Sequence, residues 1–486
     1  MGKAGTLCEI LRNQNMKIQQ TFGVMVGSRD FFNPKLAGEG RRKLLAKLEK
    51  MGFKTVILPE NATSTGAIET IEDAHKCARL FNEKRYEIDG IVISLPNFGD
   101  ELGIANALDE AQLRVPILVH AEDDDNDKVD IQQRRDAFCG KLSVCNNLYQ
   151  YGFAFTDTTY HTCKVDGEVF TKDLEFFSRV CRVVQGLRQA RIGQVGARPV
   201  AFNTVRASEK LLQATGITVV PVDLSEMFAT AVKLKDNEKA VKDKVAQMRD
   251  YGSIPGEILE ANVVRNAKFC VTLDRWIEEN NIDACAVQCW TSIQENYGCA
   301  SCTAMSMLGE RLIPSACEVD IAGAVSMYVL ALASGNPSAL ADWNNNFGED
   351  REMCVVTHCS NYPKGFMGAP IEISNLDILG ASLGYDRSFG AIKGKIAAGP
   401  MTFFRMDTDD TEGEIHAYLG EGEFTDDPYG MAGGIGVCRV EDLQELMKFM
   451  CKSGFAHHVG MVRSHCAKVI EEAVTTYLDW ELYRHS

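Results

Sequence analysis

Long apolar runs are missing from this chain. No window of its 486 residues approaches the ~18 uninterrupted apolar residues that a membrane-spanning helix needs. The opening stretch, MGKAGTLCEILRNQNMKIQQ, carries no apolar core of signal-peptide length, so a cytoplasmic protein without a membrane partner is expected. Positive charge is also short. There are 51 Lys and Arg against 67 Asp and Glu, a net charge of −16, and this excludes the basic surface that nucleic-acid binding requires. No P-loop and no GxSxG is present, and GQVGA at 193–197 falls short of GxGxxG, so no nicotinamide cofactor is expected. Cysteine is plentiful, with 17 residues, but its framework pattern is absent: Cys299 and Cys302 form a CxxC with no second one to complete a zinc site. Reduced thiols packed as small hydrophobes follow.

What is present is an alternation of strand and helix signals. FGVMVG, TVILPE, GIVISLP and VPILVH are short apolar runs, separated by amphipathic stretches such as GEGRRKLLAKLEKMGF. This grammar predicts a doubly wound parallel sheet over residues 1–165. It repeats over 166–345, with strands in RIGQVGARPVAF, ITVVPVDL and DACAVQCWTS and a largely apolar helix in IAGAVSMYVLALASG. From 346 to 486 the runs shorten (CVVTHC, PMTFFRM, EIHAYLG, GIGVCRV) and only the end, EDLQELMKFMCKSG and AKVIEEAVTTYLDWELY, looks helical. The expected fold is therefore α/β: two Rossmann-like domains, then a mostly β domain with flanking helices.

Histidine is rare, nine in all, yet two are adjacent: His457 and His458 in GFAHHVGMVRS. Carboxylates stand out at Glu295 in CWTSIQENYG and at Glu318 and Asp320 in PSACEVDIAGA. Asp320 also suits the N-cap of the helix that follows. ACAVQCW ends a strand, placing Gln288 and Trp290 at the sheet edge where open α/β folds bind ligands. Carboxylates with imidazole make a hard, oxygen-rich site suited to Mn²⁺ or Mg²⁺, whereas thiolates would favour zinc. His358, which ends another strand, is a similar candidate; Arg29, Arg198 and Arg405 are basic candidates, and arginine binds anionic or hydroxylated ligands bidentately. The acidic run AEDDDNDKVD lacks the EF-hand pattern.

Several of these segments, in order, resemble the L-fucose isomerase and L-arabinose isomerase family: RIGQVGARPVAFNTV, QCWTSIQENYG, CEVDIAGAVSMYVLALASGNP, ADWNNNFGED, GPMTFFRMDTDD, YLGEGEFTDDP and SGFAHHVGM. The resemblance implies two Rossmann-like domains followed by a β-barrel-type domain. It implies Mn²⁺, with Mg²⁺ or Co²⁺ as substitutes, and a hexamer, trimer or dimer with shared active sites. It places the first metal-binding, acid/base carboxylate at Glu295 and the second at Asp320, with Glu318 the fallback. It makes His458 the imidazole ligand with His457 beside it, and extends Arg29 into a neighbouring subunit's site. Gln288, Trp290, His358, Glu318, His457 and Arg405 join Arg29 as expected substrate contacts.

The chemistry fits independently. Moving a carbonyl between C1 and C2 requires abstraction of a weakly acidic C–H proton and stabilisation of an enediolate, work for carboxylates beside a divalent ion. The resemblance implies as substrate an L-fucose- or L-arabinose-like sugar, or sulfoquinovose converted to sulfofructose; a sulfonate would need a cation such as Arg29, Arg198, Arg405 or Lys364. The rival class is a non-catalytic sugar-binding or sensor protein, which would hold sugar without metal.

Overall fold

The computed structural model describes residues 19–29, 31–64, 66–368, 370–431 and 433–485. The opening stretch MGKAGTLCEILRNQNMKIQQ therefore lies almost wholly outside the described residues. None of the described helices is long and apolar enough to cross a membrane.

The chain divides into two compact units. One runs up to Gln185 and takes in Glu472–Asp479. Its sheet holds β1 (Thr21–Val26), β2 (Lys54–Val56), β3 (Gly90–Leu95), β4 (Ile117–Ala121) and β5 (Thr156–Asp157), all parallel in the order 2-1-3-4-5. Strands β1, β3 and β4 are buried along their whole length, as expected of a parallel sheet covered on both faces. One cluster packs Met25, Ile91, Ile93 and Val119 on one face, and another packs Phe22, Val24, Val92 and Leu118 on the other. The helix Glu168–Arg188, which the sequence pattern places at the start of the second region, belongs to this unit as far as Gln185.

The second unit, Gly186–Glu471 with Trp480–Ser486, holds two sheets. The first is parallel, with β6 (Arg191–Val195), β7 (Thr218–Val222), β8 (Ala284–Val287) and β9 (Ser315–Ala316) in the order 7-6-8-9. The second is large and mixed. It comprises β10 (Ser338–Phe347), β11 (Asp350–His358), β12 (Glu372–Asn375), β13 (Phe389–Lys395), β14 (Gly399–Asp409), β15 (Glu414–Thr425), β16 (Gly434–Arg439), β17 (His458–Val462) and β18 (Glu481–Arg484). Its antiparallel run β16-β11-β10-β17-β14-β15 closes on itself through pairing of β15 with β16, so that run has no free edge, and β12 and β18 stand at the ends of the sheet. Strand β10 begins at Ser338, ahead of the composition change at 346. The chain end also departs from expectation: after Ala467–Glu471 the helix loosens into a π turn, and β18 pairs with β15 instead of continuing it.

Between the two sheets lies the helix Ile321–Ser334. Residues Ile321 to Ala333 are all buried, as an all-round apolar helix requires. It packs against β8 and β9 and against β10, β14 and β17. Its N-terminus carries the cap expected there, Asp320 accepting from Gly323 N–H at 2.8 Å, and Gly335 closes the C-terminus in the left-handed region. A Cβ on Gly323 would sit 2.5 Å from the Asp320 carboxylate, so glycine is needed for this cap.

Candidate active site

The cap residue is also the anchor of the site. Asp320 is fully buried and accepts from three sources: Gly323 N–H, the Arg405 guanidinium (Nη1 at 2.5 Å and Nη2 at 3.3 Å) and His458 Nδ1–H at 2.8 Å. With Nδ1–H directed at Asp320, His458 Nε2 is turned the other way, as carboxylate partners do for ligand histidines. There it meets Glu318 Oε2 at 3.3 Å and Asp342 Oδ1 at 3.5 Å.

Each member arrives by a different route. Glu318 lies in the tight turn between β9 and the buried helix, where Glu318 and Val319 both have positive φ, 55° and 58°. A β-branched residue there is strained, and such strain concentrates at functional sites. The carboxylate is steered by Trp290, whose Nε1–H donates to Glu318 Oε1 at 3.0 Å. Asp342 stands on β10 directly opposite His458 on β17. His358 ends β11, with Nε2 at 3.7 Å from Glu318 Oε2 and 4.0 Å from Asp342 Oδ1. His457, one residue before the strand, sits half-exposed on the rim, Nε2 3.8 Å from Asp342 Oδ1.

Burial pushes the Glu318 carboxyl up, and the His358 and His458 imidazoles reverse this, holding it well below the usual carboxylate range. Burial also pushes Asp320 up, and Arg405 and His458 bring it below that range. Burial lowers His458, but its bonds to Asp320 and Glu318 raise it to about 9. His358 is raised well above its usual value, against the pull of burial, mainly by Cys359 and Asp342. The site thus demands positive charge at its centre. Two buried oxygens, Glu318 Oε2 and Asp342 Oδ1, have only imidazole nitrogens near them, the closest at 3.3 Å and 3.5 Å, and make no well-formed hydrogen bond, and poorly satisfied buried acceptors are costly. Together with the imidazole nitrogens they are grouped within reach of one ion, as Glu318–His358–His458 and Asp342–His457–His458. A divalent cation fits this donor set.

These side chains wall a hollow of ≈350 Å³, closed elsewhere by Phe202, Cys289, Leu376 and Ile378, a size suited to a small ligand. A second hollow of ≈220 Å³ shares Asp342, His358, Leu376 and Ile378 and reaches Lys393 on β13.

Other candidates fall elsewhere. Glu295 is exposed on the short helix Ser292–Asn296, outside both groups. Asp320 supports His458 but is saturated by its own partners. Arg405, expected to face substrate, is fully buried and held between Asp320 and Asp407, which leaves it no free side. Gln288 accepts from Ala197 N–H at 2.9 Å and lines a different hollow with Gln194 and Asp223. Arg198 donates to Pro199 O, and Lys364 lies at the surface beside Tyr251. Arg29, in the other unit, follows β1, pairs with Glu101 and stacks on Phe98. Asp342 was missed by the sequence reading, although ADWNNN puts it in plain view; only its strand partner marks it out.

Paired ionised carboxylates and imidazoles around a sugar-sized hollow are the equipment of a proton-transferring carbohydrate enzyme. Residues 23–188 match the N-terminal domain of fucose/sulfoquinovose isomerase, and residues 356–485 match the C-terminal domain of L-fucose isomerase. The chain belongs to this family of aldose–ketose isomerases. It is similar to the sulfoquinovose isomerase of Priestia megaterium (strain ATCC 12872 / QMB1551), 28% identical over 335 residues covering 68% of this chain and 70% of that protein. The sulfoquinovose isomerase of Alkalicoccus urumqiensis is 25% identical over 401 residues, covering 79% and 83%. That of Clostridium sp. (strain MSTE9) is 30% identical over 197 residues, covering 40% and 42%.

Proposed function

We propose that this isomerase acts on sulfoquinovose, giving sulfofructose, with a divalent cation, Mn²⁺ foremost, held by Glu318, Asp342 and His458. The observation that carries the cation site is the pair of poorly satisfied buried oxygens, Glu318 Oε2 and Asp342 Oδ1, facing His458 Nε2. The first and second carboxylates are thereby assigned to Glu318 and Asp342 in place of Glu295 and Asp320. The substrate assignment is supported by the relatives' names and by Lys393, which borders the hollow next to Asp342. Its ammonium lies 2.6 Å from Asp377 Oδ2, and a sulfonate would take it as a charge-assisted donor.

When bound, the cation polarises the carbonyl and offsets the charge of the enediolate. One of the two carboxylates takes the C2 proton and returns it at C1, while the other moves the hydroxyl proton between O2 and O1. His457 holds a hydroxyl at the rim, Trp290 keeps Glu318 aimed through its single N–H, and Phe202, Leu376 and Ile378 keep water from the reacting carbons.

We read both parallel sheets as Rossmann-like, the order 2-1-3-4-5 being a doubly wound one. We keep the three domains expected at 1–165, 166–345 and 346–486, with the first bound moved to about Gln185, near the end of the helix Glu168–Arg188, and the second to about Ser338, where β10 begins. The family resemblance supports a cytoplasmic homo-oligomer, hexamer or smaller, in which Arg29 completes a neighbouring subunit's site. Ketose formation from sulfoquinovose and from neutral aldoses, with added Mn²⁺ and with chelator, tests the reading. Turnover of sulfoquinovose that chelator abolishes is expected; turnover indifferent to chelator, or confined to neutral sugars, contradicts it.

A further inference from the structure

His358 has two faces, and only Nε2 looks toward the carboxylates. Its Nδ1 lies 3.5 Å from Cys359 Sγ. Cys317, the residue before Glu318, brings its Sγ into the same group, with all ligand atoms of Cys317, His358 and Cys359 within 4.8 Å of one another. Cys289 is in hydrogen-bonding contact with Cys317 and also accepts from Glu318 N–H at 3.4 Å. All these thiols are free. Cys359 is only partly buried and lines the same hollows as His358, so an entry path exists.

We infer that Cys317, Cys359 and Nδ1 of His358 form a second cation site, which takes a soft divalent ion of the zinc class. The chemistry separates it from its neighbour. Thiolate and imidazole donors select zinc-like ions, whereas the carboxylate site on the other side of the ring suits harder ones. The geometry agrees. Tetrahedral zinc with Zn–S of about 2.3 Å and Zn–N of about 2.0–2.1 Å sets the nitrogen and sulfur about 3.6 Å apart, close to the 3.5 Å between Nδ1 and Cys359 Sγ. Three protein ligands are in place, and Cys289 or a water completes four.

The site bears on catalysis through the tautomer of His358. A neutral imidazole that ligates through Nδ1 carries its proton on Nε2, which then points at Glu318 Oε2 as a donor. A soft ion therefore fixes His358 as a hydrogen-bond donor and removes it from the ligands available to the harder cation. This inference concerns binding alone and stands whichever sugar the enzyme uses.

The test is titration of the full-length protein, saturated with Mn²⁺, with Cd²⁺, read by the ultraviolet cadmium–thiolate charge-transfer band. Oxygen and nitrogen ligands give no such band, so binding at the carboxylate site is silent. The expected result is a band that saturates at a single equivalent per chain and is lost in C317S/C359S. Should the double variant fail to fold, C359S alone must weaken the band. A band of equal size in parent and folded variants, or none in the parent, overturns the inference.

Discussion

Asp342 and His458 face each other as register partners on antiparallel strands β10 and β17, with Asp342 Oδ1 3.5 Å from His458 Nε2. Directly opposed positions in such a pair bring side chains within contact, so the barrel's hydrogen-bond register itself sets this half of the site. Glu318 comes from outside the barrel, on the strained turn that leads into the buried helix, and completes the group.

Three isosteric amide variants separate this assignment from the one the sequence suggests. Glu318→Gln and Asp342→Asn should each lower kcat by about 10²–10⁴-fold, the usual weight of a general acid or base, while thermal melting shows a folded protein. Glu295→Gln should stay within a few-fold of the parent, because its side chain is exposed outside the group. Steady-state kinetics on the three decides; a large loss in Glu295→Gln would return the role to that residue.

Asp320→Asn tests the support behind His458. The amide can no longer fix the Nδ1–H tautomer as a carboxylate does, and loss of such a partner costs about 10–100-fold in metal affinity. It also leaves the buried Arg405 guanidinium with Asp407 as its remaining carboxylate. Mn²⁺ titration should show weakened binding, and melting a lower midpoint. Parent-like affinity would reduce Asp320 to a helix cap.

The fold was largely legible in the sequence, because apolar strands alternating with amphipathic helices announce a parallel sheet, and Asp320 marks the start of the buried helix. The family resemblance singled out His458 of the HH pair with His457 beside it, and the structure buries the first and leaves the second on the rim. The rest was hidden for physical reasons. Asp320 and Arg405 looked like site residues since nothing local reveals that they neutralise each other in the core. Asp342 looked like any polar strand residue, since its partner His458 lies more than a hundred positions away and only strand register joins them.

Lys393 should set substrate preference. Hydrogen bonds to charged groups contribute about 1.5–3 kcal/mol, so Lys393→Met should lower kcat/KM on sulfoquinovose by roughly 10–100-fold while leaving neutral aldoses nearly unchanged. An equal loss on both would give Lys393 a structural role with Asp377.

Away from the site, Asp283 gives a pH signature. Burial pushes its carboxyl from the usual 3.8 to about 6, only partly offset by the Arg191 backbone N–H at 2.9 Å and the Arg191 charge. In the unfolded chain the group ionises at its usual value, so protonated Asp283 favours the folded state below about pH 4, and this contribution disappears as pH rises through about 6. Asp283→Asn keeps an acceptor for Arg191 N–H without the charge. It should melt higher than the parent by about 1–3 kcal/mol of stability above pH 7, with the gap closing toward pH 4. A gap independent of pH would show that Asp283 is ionised without penalty.

The most direct measurement of the central claim is the position of bound manganese, located by anomalous diffraction from crystals grown with Mn²⁺. The peak should lie within bonding distance of Glu318 Oε2, Asp342 Oδ1 and His458 Nε2 together. A peak beside Glu295, or a fully loaded protein with no peak among these three atoms, would contradict it.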